Sequence, residues 1–184
     1  MNPLEIIALY YRPGSEIYSI LVEHSRLVAR KALAVAERMS RLNPDMDFIH
    51  EAAMVHDIGI FLTRLPELKC TGDLPYICHG YKGRELMDEA GFPLHGRVCE
   101  RHVGVGISLE DIQTRQLPVP LRDMMPQTVE EKIICYADKF YSKNGSSQPV
   151  MEKSVDQIVS ELSRRGQDKV DRFLSWHLQF EFCR

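Results

Sequence analysis

The sequence predicts an all-α protein, and three observations carry that reading. Apolar residues recur at intervals of three, four and seven along most of the chain; the alternation that half-buried strands need is nearly absent; and helix-starting and helix-stopping residues fall at the edges of the periodic segments. The clearest helix covers about 16–40, with Ile17, Ile20, Leu21, Leu27, Val28, Val35 and Met39 on one stripe. His24 falls on that same stripe. Asn43-Pro44-Asp45 then breaks the chain. A second helix starts near Asp45 or Asp47 and ends at His56-Asp57-Ile58-Gly59, with Gly59 as its C-terminal stop.

Residues 60–78, containing Pro66, Gly72 and Pro75, read as an irregular connection. Helices follow at about 80–90 and 94–103, separated by Gly91-Phe92-Pro93. Ser108, with Asp111 three residues on, caps a short helix as a loose capping box. A proline-rich passage, 117–126, leads to a helix over about 128–141, where Thr128 and Glu131 form a full capping-box signal. The stretch 143–149 (Lys-Asn-Gly-Ser-Ser-Gln-Pro) is the best candidate for a mobile loop. Helices at about 150–164 and 167–181 close the chain. With no internal repeat, 184 residues fit one domain over 1–184.

Apolar residues make up 44% and charged residues 27%, the composition of a soluble globular protein. A net charge of −3 argues against a surface that coats nucleic acid, yet leaves room for a basic pocket. No apolar run approaches the roughly 20 residues of a membrane helix, and the first residues lack a signal-peptide pattern. Five cysteines without a C-x-x-C pair argue against a zinc ribbon and a disulfide framework, so a reduced, cytoplasmic setting is expected. Cys135, in an apolar run, reads as core.

The chemistry concentrates in four residues. His56 and Asp57 adjoin at a helix end; neighbouring helical residues point about 100° apart, so both reach one ion only where the helix opens. Imidazole with carboxylate suits Zn, Fe, Mn or Ni better than Ca or Mg alone. His24 lies on a buried stripe, and Asp138 lies in the apolar run Ile133-Ile134-Cys135-Tyr136-Ala137-Asp138. An isolated carboxylate there is costly, and a metal resolves both oddities.

His24, then His56-Asp57-Ile58-Gly59, then Asp138 resembles the H…HD…D signature of HD-domain phosphohydrolases, in their HDIG subset, over about 16–143. Arg101-His102-Val103-Gly104-Val105-Gly106 and Glu130-Glu131-Lys132-Ile133-Ile134 are similar to small stand-alone HDIG proteins. The resemblance implies a single-domain helical bundle with its metal site in the core, hydrolysing a phosphate ester or anhydride. The expected substrate is a nucleotide or a related small phosphorylated metabolite. It implies one or two divalent transition metal ions (Fe, Mn, Zn, Ni or Co). His24, His56, Asp57 and Asp138 are the expected ligands of one ion, and His56 and Asp57 the catalytic pair. In families with two metals, two further histidines fall between the HD pair and the last aspartate; His79 and His102 fill those places. His50, His95 and His177 have no such role.

One position departs from the pattern. Many HDIG proteins carry lysine directly after the glycine, and here it is Ile60. A phosphate contact must then come from elsewhere, with Lys139, Lys82, Arg84 and Arg101 as candidates. Two other function classes remain open: a non-catalytic sensor of a nucleotide or metal, and a di-iron oxygenase on the same fold. A homodimer is also left open.

Overall fold

A computed structural model describes residues 1–143 and 150–182. Nine α-helices carry the described residues: α1 (Pro3–Tyr10), α2 (Glu16–Arg38), α3 (Met46–Val55), α4 (His79–Glu89), α5 (Pro93–Arg101), α6 (Leu109–Arg115), α7 (Val129–Asp138), α8 (Val155–Ser163) and α9 (Gln167–Phe182). The protein is all-α, apart from a two-stranded antiparallel ribbon of β1 (Arg64–Leu65) and β2 (Cys70–Thr71).

Local chemistry sets the helix starts. Ser15 accepts from the Tyr18 amide and Asp45 from the Phe48 amide at 2.9 Å, each satisfying a first-turn N–H. Ser108 with Asp111, Thr128 with Glu131, and Ser154 with Gln157 are reciprocal capping boxes. α2 is the spine: it packs against α3, α7 and α9. Its stripe of Ile20, Leu21, Val28, Ala32 and Val35 is buried in the main core, with Cys135 fully buried across from it on α7. α5 closes on α3 and α7, and α4 lies against α5.

Three differences from the sequence reading have physical causes. α1 was not expected; Asn2 caps it, Pro3 opens it, and it is held to the core mainly by Ile7. The connection 60–78 is not irregular throughout, but a series of 3₁₀ turns with the small ribbon between them. Gly59 is not a helix stop. α3 ends four residues earlier, at Val55, and Gly59 lies in the following 3₁₀ turn Ile58–Leu62. A Cβ there would stand 2.2 Å from the His79 carbonyl oxygen and 2.6 Å from the Gly83 nitrogen. The glycine therefore lets α4 dock directly on the residues that follow Asp57. Of the segment 143–149, only Lys143 lies within the described residues. Among the described residues, no helix is long and apolar enough to cross a membrane.

Candidate metal centre

Helix ends build the site. His56 is the residue on which α3 ends, His102 the residue on which α5 ends, and Asp138 the last residue of α7. Three helix C-termini thus meet here, and each carries partial negative charge from its unpaired carbonyls, a field that favours a cation. His24 enters from the middle of α2, and His79 opens α4. All six side chains, Asp57 included, are buried; His24, His56 and Asp57 have no exposed surface.

The six fall into two sets that share Asp57. In the first, His24 Nε2 lies 3.2 Å from Asp57 Oδ2, 3.1 Å from Asp138 Oδ1 and 3.3 Å from His56 Nε2. His56 Nε2 lies 3.0 Å from Asp57 Oδ2. In the second, His79 Nε2 and His102 Nε2 are 3.2 Å apart, and each is 3.3 Å from Asp57 Oδ1. Asp57 therefore turns one oxygen to each set. With ligand bonds of about 2.0–2.2 Å, a tetrahedral or octahedral ion has donor–donor edges of roughly 2.8–3.6 Å; the observed separations fall inside that range.

The donor chemistry fits a metal as well. His56 Nδ1 pairs with the Ala53 carbonyl at 2.7 Å, His79 Nδ1 with the Tyr76 carbonyl at 2.5 Å and His102 Nδ1 with the Cys99 carbonyl at 2.7 Å. A carbonyl only accepts, so each Nδ1 carries a proton and Nε2 is the atom turned to the centre, where it ligates when it holds no proton of its own. Both Asp57 oxygens are buried and no hydrogen bond of good geometry reaches them. A carboxylate left so would be costly, and a divalent ion answers it. A cation already stands there: Lys143 Nζ lies 2.6 Å from Asp57 Oδ2.

The charges respond to this packing. Burial opposes protonation of His56, but the Asp57 and Asp138 carboxylates outweigh it and push its pKa up to about 9. Burial brings His79 down to about 3 and lowers His102, so both are neutral ligand-ready rings. Burial alone would raise the two aspartates. Lys143 and His56 hold Asp57 well below the usual carboxylate range, and Lys139 and His24 do the same for Asp138.

A cavity of about 670 Å³ opens onto the site, lined by His79, His102 and Asp138 and by the cations Lys139 and Lys143. Of the four cations expected at the phosphate, only Lys139 borders it; its Nζ lies 2.8 Å from Asp138 Oδ2. The other three are engaged away from the cavity and correct that expectation. Arg84 pairs with the buried Glu100, Arg101 donates to both oxygens of Glu131 at 2.8 and 2.9 Å, and Lys82 pairs with Glu85 at 2.7 Å. Lys143 is the cation that sequence reasoning missed. It follows the last helical signal of α7, so it read only as the start of a loop.

Tyr11 is the other unexpected contributor. Its hydroxyl donates to the Ile58 carbonyl at 2.8 Å and accepts from the Phe61 amide at 3.2 Å, clamping the turn just past Asp57. Of the remaining histidines, His50 is exposed, His95 pairs with Glu51 at 3.1 Å, and His177 pairs with the Tyr136 hydroxyl at 2.8 Å.

Comparison with known families matches residues 21–142 to the HD domain. The chain belongs to the HD domain family. An uncharacterized protein of Methanocaldococcus jannaschii is 32% identical to this HD protein over 138 residues, 72% of this chain and 74% of the relative. A tRNA (cytidine(56)-2′-O)-methyltransferase of Thermoplasma volcanium is 25% identical over 173 residues, 92% of this chain and 44% of that enzyme. The methyltransferase of the same name from Picrophilus torridus is 31% identical over 125 residues, 67% of this chain and 32% of its own. The chain thus spans less than half the length of either methyltransferase. Among solved structures, the HD domain of the L. monocytogenes phosphodiesterase PgpH superposes with a TM-score of 0.54 at 20% identity, covering 97% of this chain and 87% of that one. That likeness shows a shared fold.

Proposed function

We propose that this HD protein is a metal-dependent phosphohydrolase that cleaves a phosphate ester or anhydride in a nucleotide or related small phosphorylated metabolite. The observation that carries the reading is Asp57, fully buried and dividing its two oxygens between two histidine-bearing ligand sets. His24, His56, Asp57 and Asp138 would hold one ion, and Asp57, His79 and His102 a second. Bound there, two divalent transition metal ions supply an activated water near neutral pH and neutralise charge on phosphoryl oxygens.

The chain's own residues supply the rest. The backbone carbonyls of Ala53, Tyr76 and Cys99 fix three of the imidazoles in the ligating tautomer. Lys139 and Lys143 at the cavity wall hold the phosphate as point charges, in place of the lysine that Ile60 replaces in the HDIG pattern. The ligand side chains themselves are buried, which strengthens the charges they meet. Methyl transfer, for which two relatives are named, is different chemistry, so the reading rests on this chain's own cluster.

The test is a screen of nucleotides and simple phosphate esters with protein loaded in turn with Fe, Mn, Zn, Ni or Co, reading phosphate release with and without oxygen. Release under strict anaerobiosis supports hydrolysis. Release that requires oxygen favours the oxygenase class, and binding without turnover on any substrate favours the sensor class.

A further inference from the structure

The large cavity continues past the metal ligands into a smaller apolar recess of about 70 Å³; Ile77, Val103, Gly104, Leu162, Arg115 and Arg165 border both. Five cations line the large cavity, although the chain as a whole is acidic. Three of the five have carboxylate partners: Lys139 with Asp138, Lys143 with Asp57, and Lys153 with Glu161 at 2.7 Å. The two arginines differ. Arg115 donates to the Arg165 backbone carbonyl, and among the described residues neither guanidinium is in an ion pair with a carboxylate.

Gly104 bounds the distance of Arg165 from the metal ligands. A Cβ on Gly104 would meet Arg165 Nη1 at 3.8 Å, and Gly104 lies two residues beyond His102. Two residues span at most about 7 Å, so with that gap the guanidinium stands within about 12 Å of the His102 Cα. A planar fork without a carboxylate partner, exposed at the open wall of the cavity that holds the metal ligands, suits a phosphate or carboxylate oxygen pair.

We propose that Arg165 and Arg115 form a second anion subsite, so that the substrate carries another anionic group, a second phosphate foremost, besides the phosphate at the metals. This rests on the phosphohydrolase reading and narrows its substrate class from phosphorylated metabolites in general to bisphosphates and diphosphates.

Calorimetric binding to the metal-loaded protein tests it, with pairs of probes differing by one phosphate: adenosine 5′-monophosphate against adenosine 5′-diphosphate and adenosine 3′,5′-bisphosphate, and fructose 6-phosphate against fructose 1,6-bisphosphate. The expected result is that the second phosphate tightens at least one pair by about tenfold or more. Arg165→Ala and Arg115→Ala should each remove most of that gain. Arg97→Ala, which deletes an exposed charge outside both cavities, should leave it intact. Equal binding within every pair, or a gain that survives both arginine substitutions, overturns the subsite and leaves the phosphohydrolase reading standing. No binding by any probe overturns both.

Discussion

Asp57 faces two ligand sets at once, so its removal is expected to cost more than one coordination bond. Asp57→Ala should abolish phosphate release, by more than about a hundredfold, while the helical circular-dichroism signal persists, because the apolar core around α2 does not depend on it. His79→Ala is the narrower change: it should take bound metal from two ions per chain toward one, measured by elemental analysis. At the substrate end, Lys143→Met keeps the apolar stem and deletes the ammonium. It should lower kcat/KM by about tenfold or more, far beyond the few-fold shift of an ordinary exposed lysine. Metal content in Lys143→Met should stay at the wild-type level, which separates a substrate contact from a ligand. These residues were unequally legible. His24, His56, Asp57 and Asp138 stood out as ligand-type side chains on apolar stretches. Lys143 did not, because what places it is the turn after α7, and a turn leaves no periodic trace.

The elements were read in order; α1 was missed although Asn2 and Pro3 are local start signals, because eight residues are too few to show a clear period, and the misreading of Gly59 lies where tertiary contact outweighs local pattern. Capping residues located the starts of α6 and α7, since a cap is a bond within a few residues. Gly59 was misassigned because its use is to admit another helix, which spacing along one helix does not reveal. Gly59→Ala should therefore destabilise far more than an exposed glycine would, by about 3 kcal/mol or above, with a matching fall in the denaturant midpoint. Tyr11→Phe tests the clamp on the same turn: loss of a buried hydroxyl with two partners should cost about 1–2 kcal/mol. Another inter-element tie is sensitive to pH. Burial alone would raise the Asp111 carboxyl, but the Lys169 ammonium and Ser108 hold it at about 2. A carboxyl depressed on folding contributes stability above its ordinary pKa, near 4, and loses it as pH falls through its folded value. Asp111→Asn should accordingly lower the thermal midpoint at neutral pH, and the gap to the unaltered protein should narrow as pH falls from about 4 to about 2.

For the whole molecule, the all-helical class followed from periodicity, and the family from four residues in order on those helices. What the sequence did not contain was the convergence of three helix C-termini, since that is a property of packing. That convergence joins stability to metal. A metal at one hundred times its dissociation constant adds about 2.7 kcal/mol, so a chelator should lower the thermal midpoint by roughly 5–10 °C. The central claim is that Asp57 bridges two ions, and anomalous diffraction from crystals of the manganese-loaded protein tests it most directly. Two peaks should flank the Asp57 carboxylate about 3.5–4 Å apart, one among His24, His56 and Asp138 and the other between His79 and His102. A single peak, or peaks that leave either Asp57 oxygen without a metal, would contradict the account.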